Sequence, residues 1–256
     1  MNSDSSKTPK RSRRLRRLEA VFPAECRQCG RFLPWEVGNR FLCASCEQYL
    51  PWLNPSALCE TCGLPEEAHE VSLLTCRSAN WSLNATWAAC AYADPVRSWI
   101  LRFKFGKQEN WAPLLAWLMS ESAPQVSVPR PSLLMPVPLH PERLRARGFN
   151  QSLLLAHALR SPQWELCLRG MQRVRSTRPQ VSLDWEARQK NPENAFAIQA
   201  EVSGRSVVLV DDVMTTGATL NEMARVLKQQ GAAQVTAWVV ARRFREDPPE
   251  ESVPPT

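Results

Sequence analysis

The chain has 256 residues, 44% of them hydrophobic and 22% charged, with a formal net charge of +7. That length holds one large domain or a small module beside a domain of ordinary size, and the composition is globular, neither fibrous nor disordered overall. No apolar run approaches a membrane span and no secretory-type apolar core stands near the start, so the expected location is the cytoplasm.

Most of the net charge sits in residues 1–20, where Lys7, Lys10, Arg11, Arg13, Arg14, Arg16 and Arg17 face only Asp4 and Glu19. This stretch reads as a disordered basic tail that meets nucleic acid, anionic lipid or solvent alone. Seven of the nine cysteines follow between Cys26 and Cys76, in a module taken as residues 21–80. Cys26-x2-Cys29 and Cys43-x2-Cys46 form two knuckles whose four thiolates can close a tetrahedral structural zinc site, which suits a reducing compartment better than disulfides do. A second set, Cys59, Cys62, His69 and Cys76, is either another zinc site or a vestigial knuckle held by packing. Cys76 has no CxxC companion, and Ala79 stands where one would be. Cys90 and Cys167 lie in apolar surroundings and read as core.

From Trp81 the pattern becomes that of an α/β domain, taken as residues 81–245. Trp87 to Tyr92 is a strand. Asp94-Pro95 then opens a helix carrying Val96, Trp99, Ile100 and Phe103 on one face, with Arg97, Arg102 and Lys104 elsewhere. A basic turn, Lys104 to Lys107, closes it; Asn110 to Ser120 is a second amphipathic helix and residues 123–131 a linker. Leu133 to Pro138 is a short strand running into a turn that holds Arg143, Arg145, Arg147 and Gly148, before a helix from Ser152 to Arg160. Guanidinium groups fork onto phosphate oxygens, so this turn reads either as a polyanion site or as a solvated loop. The polar stretch Arg173 to Gln180, with Arg175 and Thr177, has the character of a mobile flap or of an ordinary connection.

Val207-Val208-Leu209-Val210 has the composition of a buried parallel strand, and Asp211 and Asp212 leave its carboxyl end, where open α/β sheets bind ligands. Two carboxylates there can accept hydrogen bonds from vicinal sugar hydroxyls and help hold a divalent cation. Val213, Met214, Thr215, Thr216, Gly217, Ala218 and Thr219 then lead through a hydroxyl-and-glycine turn into a helix, an anion seat in which Gly217 admits close approach of a phosphate. The bland alternative is a βα turn with a Thr cap. The helix stops at Gly231, Gln234 to Val240 is a strand, and residues 246–256 form an acidic, Pro-rich tail.

The run from Val207 to Leu220 resembles the phosphoribosyl pyrophosphate (PRPP) motif of type I phosphoribosyltransferases. With the Cys-rich ribbon, the stretch from Val137-Pro138-Leu139-His140 to Gly148-Phe149-Asn150-Gln151-Ser152, and Arg175 to Gln180 with Asn194-Ala195-Phe196, the chain resembles the ComF (ComF/GntX-type) family from about Cys26 to Arg242. The incomplete second knuckle is the departure. The resemblance implies a parallel sheet flanked by helices with a small zinc module, a pyrophosphate loop after Pro138, a mobile loop at Arg173 to Gln180, and a ribose-phosphate cradle at Asp211 to Thr219. It further implies PRPP or a nucleotide-like ligand bound with Mg²⁺, and Mg-dependent glycosyl transfer to an acceptor the sequence does not reveal. It also implies a part in competence, the uptake of transforming DNA. In the other functional reading, single-stranded DNA is held by Arg13 to Arg17, Lys104, Lys107 and Arg143 to Arg147 with Trp35, Trp52 or Trp81 stacking on bases, or a helicase-like translocase docks on the zinc module.

Overall fold

A computed structural model describes residues 24–34, 41–65, 81–123, 132–162, 164–174 and 195–244. The chain divides after Leu50 into two compact units, Met1–Leu50 and Pro51–Thr256.

The first unit is built around a knuckle. The Cys26 N–H donates to the Arg31 carbonyl at 2.8 Å and the Gly30 N–H to the Cys26 carbonyl at 2.9 Å, while Glu25 and Phe32 form an antiparallel bridge. Gly30 takes a φ of 73°, which a side chain would resist. Helix α1, Ala44–Gln48, starts directly after Cys43, whose carbonyl accepts from the Glu47 N–H. Leu42 and Leu33 are the buried apolar residues beside it, a small core that leaves the shape to backbone hydrogen bonds and thiol ligands.

The second unit is a five-stranded sheet in the order β1-β7-β6-β2-β3, every neighbouring pair parallel. The strands are β1 (Ala85–Ala91), β2 (Ser132–Pro136), β3 (Trp164–Leu166), β6 (Ser206–Met214) and β7 (Gln234–Arg242). A separate antiparallel pair joins β4 (Met171–Arg173) to β5 (Phe196–Ile198). The expected parallel α/β sheet with flanking helices is therefore present. β6 and β7 are each longer than their apolar runs, because β7 pairs with β6 as far as Met214↔Arg242 and so carries Asp211 inside the strand.

The helices are α2 (Val96–Phe105), α3 (Ala112–Glu121), α4 (Pro141–Arg147), α5 (Gln151–Ala158) and α6 (Ala218–Gln229). Side-chain alternation divides the sheet into two buried faces. Leu133, Met135, Val207, Leu209, Val235, Ala237 and Val239 pack with Leu220, Met223, Ala224 and Leu227 of α6. On the opposite face Trp238 meets Trp87 edge-on at 5.9 Å, and its Nε1 donates to the Met119 carbonyl of α3. With both faces covered, the strands can be apolar throughout, as their burial shows.

The segment read as an arginine-bearing turn is α4. Pro141 stands at its first position, the His140 ring accepts from the Glu142 N–H, and Gly148 closes it at a φ of 87°. A helix puts residues four apart on one face, so Arg143 and Arg147 are half-buried while Arg145 is exposed. Asn150 then caps α5 by accepting from the Ser152 N–H, and its amide donates to the Val137 carbonyl at 3.0 Å, tying the start of α5 to the end of β2.

Among the described residues no helix is long and apolar enough to cross a membrane.

Candidate ribose-phosphate site

The chain order of the sheet creates a crevice. From the end of β2 the chain proceeds through α4 and α5 to β3 on one side, and from the end of β6 through α6 to β7 on the other. β2 and β6 are neighbours, so their carboxyl ends form the switch point at which such sheets hold ligands.

Asp211 and Asp212 stand at that point. The Asp211 Oδ1 accepts from the Ser152 hydroxyl of α5 at 2.8 Å and from the Asp212 N–H at 2.9 Å. The Asp212 Oδ1 accepts from the Val213 N–H at 2.7 Å and lies 3.2 Å from the Lys104 ammonium of α2. Oδ2 of each carboxylate makes no hydrogen bond among the described residues, leaving one acceptor apiece for a ligand. Burial pushes Asp211 up to about 7; the Asp212 charge adds to the rise, and Ser152, Lys104 and the Asp212 N–H oppose it.

Next to the acids lies a small open pocket lined by Asp211 and by Val213 to Leu220. All seven loop residues singled out in the sequence, Val213, Met214, Thr215, Thr216, Gly217, Ala218 and Thr219, thus line one cavity. Gly217 has a φ of 79°, and a Cβ there would run into the Trp81 ring and the Met214 methyl. The Thr216 hydroxyl accepts from the Ala218 N–H, while the N–H groups of Thr216 and Gly217 have no partner among the described residues. Unpaired amides at the start of a helix are an anion seat.

Three guanidinium groups form a chain of like charges that reaches Asp211: Arg147 acts on Arg143, Arg143 on Arg173, and Arg173 on Asp211. Burial lowers Arg143 from its ordinary value, with Arg147 adding to the effect. Burial and the neighbouring Arg143 lower Arg173 to about 10, with the Asp211 charge working in the opposite sense. Arg173 is 8% exposed and lies over the Phe196 ring at 5.5 Å, and Arg147 lies over the Phe105 ring and donates to Gln151 Oε1 at 3.1 Å. Like charges held this close favour a polyanion between them. Arg145 and Gly148 point into solvent, and Arg175 and Thr177 lie outside the described residues.

The sequence left three contributors out of the site. Lys104, read as surface charge, is 7% exposed and pairs with Asp212, so it does not face a DNA backbone. Its signal was its place four residues beyond Ile100, on the buried side of α2. Ser152 was visible only as a helix start. Arg242, in what looked like a basic run after β7, is 1% exposed: its Nε donates to the Cys62 carbonyl at 2.8 Å, and its Nη1 to the carbonyls of Met214, Thr215 and Arg243. It ties Met214 and Thr215, where β6 gives way to its loop, to the Cys59–Cys62 knuckle. Two tryptophans offered for base stacking are packed instead: Trp52 lies edge-on to Trp117 at 6.1 Å, and Trp81 sits over Gly217. Trp35 and Arg13 to Arg17 lie outside the described residues.

Within the first unit, the ligand atoms of Cys26, Cys29, Cys43 and Cys46 all lie within 4.8 Å of one another. The Cys29 and Cys43 sulfurs are 3.8 Å apart, and a zinc tetrahedron with bonds of about 2.3 Å has an edge of about 3.8 Å. Burial alone would raise Cys26, but the N–H groups of Cys43, Cys29 and Gln28 and the Cys29 thiol hold it down at about 6. Burial and the thiols of Cys43, Cys29 and Cys26 push Cys46 up to about 12. A thiol held down by backbone amides, grouped with three more cysteines at this spacing, is the donor set of a structural zinc site. The Cys59–Cys62 segment repeats the knuckle, with Gly63 N–H to Cys59 O and Cys59 N–H to Leu64 O both at 2.8 Å. His69 and Cys76 lie outside the described residues.

Residues 167–254 match the phosphoribosyl transferase domain family and residues 17–79 the double zinc ribbon domain family. The DNA utilization protein YhgH of Escherichia coli K12 is 32% identical over 231 residues, covering 87% of this chain and 98% of that protein. The chain belongs to the ComF family. Competence protein F of Haemophilus influenzae is 30% identical, covering 80% of this chain and 92% of that protein, and competence protein ComFC of Bacillus subtilis is 28% identical, covering 78% and 84%. The ComF chain thus joins a zinc ribbon closed by four cysteines to a phosphoribosyltransferase-type sheet.

Proposed function

We propose that the crevice binds PRPP or a nucleotide-like ribose phosphate and that the protein transfers the phosphoribosyl group to an acceptor. The observation that carries this is the juxtaposition of two carboxylates, each with one unengaged oxygen, with a pocket lined by the Thr-Thr-Gly loop. The 5-phosphate would sit on the Thr216 and Gly217 amides and the ribose hydroxyls on the Oδ2 atoms of Asp211 and Asp212. As the C1–O bond to pyrophosphate breaks, positive charge on the ring faces the carboxylates and negative charge on the leaving group faces Arg143, Arg147 and Arg173. The acid pair offers hard oxygens but too few for a six-coordinate cage, so Mg²⁺ would arrive with the pyrophosphate and neutralise its developing charge. No nucleophile from the protein is required: the acceptor attacks C1, and α4 with the residues that follow Arg173 would shield the site from water.

A second reading concerns the setting. The relatives named for DNA utilization and competence favour a part for this protein in the uptake or use of DNA; single strands or a helicase-like translocase would then be its partner. Cys59 and Cys62 with His69 and Cys76 would form a second zinc site. Calorimetric titration with PRPP and Mg²⁺ tests the ligand reading. Micromolar-range binding to the wild type that is lost in Asp211→Ala/Asp212→Ala is expected; no heat for the wild type, or unchanged binding in the double variant, removes the assignment.

A further inference from the structure

Lys104 is the one element of the crevice that neither the ribose nor the pyrophosphate half of a ligand explains. A lysine with 7% of its side chain exposed is costly to bury unless it is paired, and its ammonium is 3.2 Å from an Asp212 carboxylate that is itself 8% exposed. It is delivered by a rigid element. Trp99, Ile100 and Phe103 of α2 are buried, and the Phe103 ring meets that of Phe149 at 5.6 Å, so the ammonium has little freedom to leave. It meets Oδ1, the oxygen that already accepts from the Val213 N–H, so donors from two separate elements, β6 and α2, hold that end of the carboxylate. Asp211 is fixed in the same way by Ser152 and the Asp212 N–H. Two adjacent carboxylates repel, and a resident cation relieves that repulsion while leaving both Oδ2 atoms unengaged. A divalent ion placed on Asp212 would meet the ammonium as a like charge.

Resting on the ribose-phosphate reading of this crevice, we propose that Lys104 is the positioning residue of the acid pair: it supplies the cation internally and turns the pair toward the ribose hydroxyls, so the sugar is read without a divalent metal. Any metal dependence then belongs to the pyrophosphate half of PRPP alone. A lysine that only stapled α2 to β6 would also stabilise the fold, but it would not govern which sugar is bound.

The test is calorimetric titration of the full chain with ribose 5-phosphate and with 2-deoxyribose 5-phosphate, in EDTA and in Mg²⁺. In EDTA the wild type should prefer ribose 5-phosphate by about tenfold or more, since the deoxy sugar leaves a charged acceptor unpaired. In Lys104→Met the preference should fall to within about threefold, and Lys104→Arg should restore it, because a guanidinium also carries the charge. A preference that survives in Lys104→Met overturns the proposal. So does a wild-type preference that appears only with Mg²⁺, a comparison that needs no variant to fold and leaves the ribose-phosphate reading standing. Failure of the wild type to bind either sugar phosphate in either buffer removes that reading and the proposal with it.

Discussion

Asp211→Asn should stabilise the ligand-free protein at alkaline pH and not at acid pH. The folded state holds the Asp211 proton up to about 7, whereas an unfolded chain releases it near 3.8. Between those values the folded state binds more protons than the unfolded one, so the Asp211 contribution to stability declines as pH rises and is flat above about 7. Each pH unit of that interval is worth about 1.4 kcal/mol, which sets an upper bound of roughly 4 kcal/mol for the cost of ionising the group at pH 8. Asparagine keeps an oxygen to accept from Ser152 and the Asp212 N–H but loses the attraction to Lys104. A net gain of about 1–3 kcal/mol at pH 8 remains. For a unit of this size that raises Tm by roughly 2–10 °C. Thermal unfolding of both proteins in EDTA and phosphate-free buffer from pH 4.5 to 8.5 measures it. The difference should grow with pH and level off above neutrality; one that is constant, or that grows toward acid, refutes the assignment of strain to this carboxylate. The same variant should lose ribose-phosphate binding, the expected exchange of function for stability.

Two further outcomes follow from the same geometry. Arg242→Met strips a buried guanidinium from the carbonyls of Cys62, Met214, Thr215 and Arg243 and should cost about 2–4 kcal/mol by urea unfolding. Arg242→Lys should recover less than half of that, since one ammonium does not span carbonyls on separate segments. Arg143→Gln should weaken PRPP binding about tenfold or more, while Arg145→Gln, at an exposed position on the same short helix, should change it less than about twofold by titration. Equal effects would mean that the charge of the segment matters and the helical face does not.

What the sequence made legible was local. Val207 to Val210 followed by two acids reads as a buried strand with a polar end because a short, mostly β-branched apolar run suits a parallel strand covered on both faces. The two CxxC pairs read as a metal site because the spacing suits one tetrahedron and little else. What stayed hidden depended on partners remote in sequence. Asp211 remains inside β6 because β7 continues beside it to Arg242, and the buried Lys104 finds Asp212 only once α2 lies beside the end of β6. The α4 helix was concealed for a different reason. It is short, and its arginines look like loop charge until Pro141 and Gly148 are taken as its two ends.

The Cys59–Cys62 knuckle shows how a motif that looks defective in sequence can still have a defined place. Its turn closes on its own backbone, through Gly63 and Cys59, as the first knuckle does through Gly30 and Cys26. It is then fastened to β1, where the Thr86 N–H donates to Glu60 O at 2.7 Å and the Thr86 hydroxyl to Thr61 O at 2.6 Å, and to β7 by Arg242. Gly63 takes a φ of 66°, and a Cβ there would press on the Thr86 methyl at 2.9 Å, so the knuckle lies against the strand as closely as its backbone permits. These bonds hold the segment whether or not His69 and Cys76 bring a metal to it. Because the same guanidinium also grips Met214 and Thr215, a change in the knuckle reaches the loop after β6 through that side chain. The ribbon half that belongs to the Pro51–Thr256 unit is thus part of the scaffold that shapes the pocket beside Asp211.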